Sequence, residues 1–345
     1  MKTVCAVGHF GFGKELLNGQ TIKTKIVTAE LEKQLGVEQV VKIDTHGGIR
    51  SLPSVIVQLL SGFRHCENII IFPAHNGIRV FAPMCAAFNR LFHRKLHYVV
   101  IGGWLNDFLK EHNGVKKALK QFSGIYVETN TMKRALKESG FTNVFVMPNF
   151  KDIRVLSESE LVYPEGEPYR LCTFSRVMKE KGIGEAVEAV KAVNEKFGRT
   201  VFTLDIYGQV DAAQIQWFED LKASFPEYVH YKGLVPFDKS VDVLKDYFAL
   251  LFTTKFYTEG IPGTIIDAYA SGVPVISAKW ESFADIVEDG ATGIGYEFGS
   301  QDGLVQVLFR IAEEPGFLLE KKKKCISVAE IFAPSSAIQT VLRRI

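Results

Sequence analysis

The segment EGIPGTIIDAYASG, Glu259 to Gly272, follows an apolar run at Tyr247 to Thr254 (YFALLFTT) and continues into apolar residues at helical spacing. That order is a strand, a polar turn and a helix. Glu259 therefore falls at the carboxyl end of the strand, where open α/β sheets bind ligands. Pro262 suits the first position of a helix, and the amides of Gly263, Thr264 and Ile265 are then left without intrahelical acceptors. A helix start of this kind attracts anions, phosphates above all. Asp267 lies eight positions after Glu259, about one turn beyond those amides. Two carboxylates beside a phosphate-binding helix end suit a nucleotide sugar, whose hydroxyls would donate to them. An ordinary βα unit with surface acids has the same spacing.

Working upstream, Arg170 to Phe174 (RLCTF) reads as a strand ending in Ser175-Arg176 and Lys179-Glu180-Lys181-Gly182, before a helix at Ile183 to Phe197. A guanidinium and an ammonium after a strand are placed to hold a diphosphate and to neutralise charge on a departing phosphate. Surface cations would read the same way. Further strands are expected at Phe202 to Tyr207, followed by Gly208, at Val229 to Tyr231 with Gly233 behind it, and at Val273 to Ser277. From Gly303 the chain reads as helices broken at Pro315-Gly316 and Ala333-Pro334, with Lys321 to Lys324 as a solvated helix face.

The first half repeats the alternation. A strand at Thr3 to Val7 is followed by Gly8, Gly11 and Gly13, and Asn18-Gly19-Gln20 opens a helix reaching Leu35. The GxGxxG spacing is not met, so a dinucleotide fingerprint is weak here. Asn68 to Phe72 is a buried strand, and His75 just past its end is placed either to touch substrate or to make a structural hydrogen bond. Pro83 to His97 (PMCAAFNRLFHRKLH) reads as a helix with Arg90, Arg94 and Lys95 beside an apolar face. It suits docking on its own sheet with basic residues outward, or contact with an anionic membrane surface. Gly102-Gly103-Trp104 offers an indole for sugar stacking or for packing. Residues 1–150 thus form one α/β domain, 151–168 a polar, proline-bearing linker, 169–325 a second α/β domain, and 326–345 a C-terminal helix that could cross back to the first.

Charge divides along the same line. The stretch to Glu165 has 21 Lys and Arg against 14 Asp and Glu, and the remainder 20 against 25. The basic first half suits an anionic acceptor or membrane surface, while the net charge of +2 gives no argument for nucleic acid. Five scattered cysteines without CxxC spacing point to a reducing compartment and away from zinc. The start MKTVCAVGHFGFG reads as a first strand and not as a secretory signal, and no apolar run reaches membrane-spanning length. The expected location is cytoplasmic, or peripheral on the inner face of the plasma membrane.

Three stretches, SRVMKEKGI at Ser175 to Ile183, YGQV at Tyr207 to Val210, and EGIPGTIIDAYASGVPVIS at Glu259 to Ser277, together resemble the family 4 (group 1) retaining glycosyltransferases. The resemblance implies a GT-B fold, two Rossmann-like doubly wound domains facing across a cleft. The last stretch is similar to that family's E-x7-E signature, with Asp267 in place of the second Glu. By resemblance, Glu259 would contact donor-sugar hydroxyls and Asp267 the ribose, with the shorter Asp requiring a rearranged or water-bridged contact. Arg176 and Lys181 would hold the diphosphate beside the amides of Gly263, Thr264 and Ile265. Gly208 and the stretch from Gly233 to Val235 would lie near the nucleotide base. His75 would be the N-domain histidine, and Gly13 and Gly19 would belong to the glycine-rich phosphate or acceptor loop. The implied reaction moves a sugar, from a UDP-sugar, to a glycan or lipid-linked acceptor in surface polysaccharide synthesis. It needs no metal or other cofactor. Two alternatives stand beside it: an NAD(P)-dependent oxidoreductase using Gly8 to Gly13 and Asp44, and a non-catalytic nucleotide-sugar-binding protein.

Overall fold

Short runs of β-branched and aromatic residues, flanked by glycine-bearing turns and separated by amphipathic segments, leave a chain little choice but parallel strands covered by helices. The computed structural model describes residues 1–14 and 19–345. In its first half, β1 (Lys2–Gly8), β2 (Val40–Asp44), β3 (Cys66–Ile71), β4 (Lys95–Val99), β5 (Gly124–Val127) and β6 (Val144–Val146) form one sheet. Their order is β2-β1-β3-β4-β5-β6, and every pairing is parallel. A second sheet has β7 (Tyr169–Phe174), β8 (Phe202–Tyr207), β9 (Val229–Gly233), β10 (Ala249–Phe252), β11 (Val275–Ala278) and β12 (Gly293–Tyr296). Its order is β12-β11-β10-β7-β8-β9, again parallel throughout. Burial on both faces explains the unbroken apolar strands: Ile69, Ile70 and Ile71 of β3 and Leu250 of β10 are fully buried.

Strand order reverses direction once in each sheet. After β9 the chain returns to place β10 on the free side of β7, so the loops after β7 and β10 part to opposite faces and leave a crevice between them. Crevices at such reversals are where doubly wound sheets bind ligands. The chain divides into two compact units, residues 1–149 with 334–345, and residues 150–333. Of the segment 151–168, residues Glu158–Glu160 form one 3-10 turn and Leu156 is buried in the second unit's core.

The structure moves two expected surface features. The helix expected from Pro83 to His97 runs His75–Phe92, with Pro83 in its interior. It stops because His93 turns left-handed, at φ 52°, and Lys95 already begins β4. His97 is consequently in the core, its Nδ1 3.0 Å from the Tyr126 hydroxyl and its Nε2 3.1 Å from Asn68 Oδ1, and burial pushes its pKa down to about 4. The lysine run is not wholly a solvated face either. Lys322 is fully buried and donates to the Tyr247 carbonyl at 3.3 Å, while the Lys321 ammonium sits 3.6 Å from the Phe317 ring centre. Lys322 shares the inner side of the helix Lys322–Ala329 with Cys325, Ile326 and Ala329, its alkyl stem buried beside them. Lys323 and Lys324 remain outside, paired with Glu158 and Glu288. Asn18, expected to open the first helix, lies outside the described residues; the helix is described over Gly19–Leu35. Among the described residues no single helix is long and apolar enough to cross a membrane.

Burial lowers the Lys322 pKa to about 8. The folded state therefore sheds this proton before the unfolded chain does, and stability rises with pH between about 8 and the ordinary lysine value near 10.4. Thermal unfolding across that window checks this. Lys322→Met is expected to flatten the rise.

Candidate functional site

The crevice between β7 and β10 is built by one close approach of backbone. Gly182, which precedes the helix Ile183–Phe197, has φ 70°, and a Cβ at this position would collide with the carbonyl of Thr253 just past β10. The Thr253 hydroxyl fastens the seam, donating to the carbonyls of Lys181 at 3.0 Å and Gly182 at 2.8 Å. Only glycine adopts that conformation in that space without cost. The seam sets the Lys181 side chain over the loop after β10, where its ammonium pairs with Glu259 Oε1. Both side chains are mostly buried, at 16% and 19% exposure. Trp280 Nε1 donates to the Glu259 carbonyl oxygen at 3.2 Å and holds the loop from below. Glu259 Oε2 is buried and accepts no hydrogen bond among the described residues, and neither does the hydroxyl oxygen of Thr264. A buried carboxylate oxygen without a donor is costly, which makes it a strong acceptor for an incoming hydroxyl.

The helix beyond this loop spans Gly263–Ala270, with Pro262 as its cap and not as its first residue. The Ile265 amide already donates to the Pro262 carbonyl at 3.1 Å, so Gly263 and Thr264 head the helix. Asp267 points inward and is 2% exposed. Both of its oxygens accept from Lys151 Nζ at 2.6 Å, and Oδ1 accepts from the Ser240 hydroxyl at 3.0 Å. Burial pushes its carboxyl pKa up, against the pull of the Lys151 ammonium. Arg176 extends from the loop after β7 and is 58% exposed, with Nη1 3.5 Å from Asp211 Oδ2. Gly208, at φ 132°, lies so close to the Ser175 carbonyl that a side chain would not fit. Its amide donates to the Gly233 carbonyl at 2.9 Å, and half-buried Val235 follows β9. Each of the three cations in this unit's candidate set thus has a carboxylate of its own. The structure brings Lys181 to Glu259 and Lys151 to Asp267, and gives Arg176 to Asp211.

In the first unit, His75 is the first residue of its helix. Its ring stacks on Trp104 with centroids 3.7 Å apart, and burial and the Arg79 charge lower its pKa, keeping it neutral at neutral pH. Gly13, at φ 75°, belongs to the turn after β1, and Gly19 opens the following helix. Asp44, which the oxidoreductase alternative would use, is occupied by backbone. Its Oδ1 accepts from the amides of Phe10 at 2.9 Å and His46 at 2.8 Å, and its Oδ2 from that of Phe12 at 3.0 Å.

Two six-stranded parallel sheets with helices between their strands, each with this reversal, define the GT-B fold. The same fold is seen in the UDP complex of HepE from Anabaena, with a TM-score of 0.76 over 99% of both chains at 14% identity. The apo lipopolysaccharide outer core galactosyltransferase WaaB gives 0.72 over 100% of this chain and 99% of that one, also at 14% identity. Residues 168–314, which hold β7 to β12 and the crevice, match the family of group 1 glycosyl transferases. Among curated relatives, the amylovoran biosynthesis glycosyltransferase AmsK of Erwinia amylovora is 26% identical over 151 residues, 43% of this chain and 37% of that protein. The alpha-monoglucosyldiacylglycerol synthase of Acholeplasma laidlawii is 30% identical over 149 residues, 42% of this chain and 35% of its own length. The alignment thus spans little more than a third of either relative.

Sequence reasoning missed Lys151, Ser240 and Asp211. Lys151 stands 116 residues from its partner, in a stretch without periodicity, and no local pattern marks it. Gly182 carried a stronger signal, a glycine between two charged residues and a helix. Gly182→Ala is expected to destabilise the second unit by about 1–3 kcal/mol, through left-handed strain and displacement of Thr253. It should also weaken nucleotide binding, read by thermal unfolding and calorimetry. Wild-type behaviour in both would remove the seam from this account.

Proposed function

We propose that the protein is a glycosyltransferase that moves a sugar from a nucleoside diphosphate donor, a UDP-sugar, to a glycan or lipid-linked acceptor with retention at the anomeric carbon. One observation carries this reading: at the β7/β10 crevice, beside a helix start, a cation and a carboxylate are locked together with one carboxylate oxygen still open to a donor. The diphosphate would draw on Lys181, Arg176 and the amides of Gly263 and Thr264, which neutralise the charge that grows on the leaving phosphate. Glu259 would then accept hydrogen bonds from hydroxyls of the donor sugar. In this scheme the departing phosphate oxygen helps take the acceptor's proton, so neither a metal nor a separate base is required. Support comes from the match of this segment to group 1 glycosyl transferases and from the UDP-glucose held by the structurally similar HepE. The name of AmsK, in amylovoran biosynthesis, favours a role in surface polysaccharide assembly.

The acceptor side would be the basic first unit, with His75 near the acceptor. Its helix His75–Phe92 presents an outward apolar stripe of Val80, Pro83, Ala87 and Leu91, the last 80% exposed. Exposed Arg79 and Arg90 flank the stripe, and the sequence from His75 to Lys95 contains no acid. We propose this face, and not the segment as far as His97, as the contact with an anionic membrane at the cytoplasmic surface.

Screening nucleotide sugars for hydrolysis and for thermal stabilisation identifies the donor. Lys181→Ala and Arg176→Ala are each expected to lower turnover at least 100-fold, in line with losing one preorganised charge stabiliser, with the fold intact by circular dichroism. Near-normal rates in both would end the phosphate-clamp reading. Flotation with liposomes tests the membrane face: the protein should float with anionic vesicles and not with neutral ones, and Leu91→Glu should abolish flotation. No flotation with either vesicle removes the proposal.

A further inference from the structure

Resting on the donor-site reading above, we infer that Lys151 is a nucleotide-binding residue: its ammonium, positioned by Asp267, donates to a phosphate oxygen of the nucleoside diphosphate. Asp267 itself has almost no surface to offer, being 2% exposed with both oxygens taken by Lys151 and one also by Ser240. Of the two side chains, the lysine keeps the greater exposure, 13% against 3%. Its Cδ lies 3.5 Å from where a Cβ on Gly263 would stand, so its stem runs along the first helical residue before the head turns to Asp267. The ammonium rests 4.4 Å from the ring centre of Phe237, itself 46% exposed in the loop after β9. An ammonium has three N–H donors. Two are committed to Asp267, and the third makes no hydrogen bond among the described residues.

A ligand reaching this end of the helix therefore meets an ammonium N–H donor, held in an ion pair, where the spacing from Glu259 led us to expect an acceptor. That chemistry selects an anionic oxygen, and charge-assisted bonds of ammonium to phosphate are among the stronger ones available. Asp267 acts as a positioning residue: it fixes the head by two bonds and removes the freedom a long side chain would otherwise lose on binding.

The test is calorimetric titration of UDP into the wild type, Lys151→Met, Asp267→Asn and the double variant, with unfolding temperatures measured alongside. Lys151→Met leaves a buried carboxylate unpaired and lowers stability. The double variant removes that charge and should recover it. The inference expects UDP to bind at least tenfold more weakly to both variants that lack the lysine, and with an affinity between theirs and the wild type's to Asp267→Asn, which keeps the ammonium but loses one of the two bonds that fix it. Recovery of wild-type UDP affinity in the stable double variant would overturn it, since Lys151 would then serve only to neutralise Asp267. Failure of the wild type to bind any nucleoside diphosphate is a different result. It would overturn the donor-site reading itself, and this inference with it.

Discussion

The second unit is arranged around the contact of Gly182 with Thr253. Two strands that are neighbours in the sheet but far apart in sequence, β7 and β10, send their loops to opposite faces, and only an unsubstituted α-carbon lets those loops touch. Lys181 and Glu259 lie on the two chain segments which that contact joins. Lys181 is one residue before it, and Glu259 is six residues beyond Thr253, held by Trp280. The opening to ligand follows from strand order and the reach of the loops from sterics.

Charge at the crevice is balanced before any ligand arrives. Lys181 with Glu259, Lys151 with Asp267, and Arg176 with Asp211 are three cation–carboxylate pairs on one unit. Burying a single cation would be costly, and pairing offsets the cost. A diphosphate must then compete with carboxylates for its cations, and a carboxylate released or half-free becomes an acceptor for hydroxyls. Recognition of the two ends of one ligand is coupled in this way through exchange of partners. Arg176, more exposed and paired at longer range, is the loosest of the three.

The strand-and-helix alternation was legible because burial on both faces writes unbroken apolar runs such as Asn68 to Phe72, and glycines mark their ends. The strand, turn and helix that carry Glu259 and Asp267 were legible too, but not that Asp267 turns inward. Side-chain partners were not. Nothing near Lys151 says that it will cover Asp267, because that pairing is made by the fold across 116 positions. Proline misled at Pro83: it is compatible with a first helical turn, and the upstream residues His75 to Ala82 carry too few helix signals to place it in an interior. Lysine misled in the run from Lys321, where a four-carbon stem served as packing material. His97 was hidden by a similar logic, a polar residue satisfied inside a strand by Asn68 and Tyr126.

The first unit is not continuous in sequence: it is completed by residues 334–345. Arg344 lies over Phe145, 3.6 Å from its ring centre, and its carbonyl accepts from Lys95. For a chain emerging from the ribosome, order of synthesis and order of completion are therefore inverted. The second unit, an unbroken segment, has all of its residues before the first unit does, although domains made earlier usually finish earlier. Until residues 334–345 have been made, the first unit lacks the arginine that lies over Phe145 of β6, so its completion waits on synthesis of the whole second unit and not on the appearance of its own sheet.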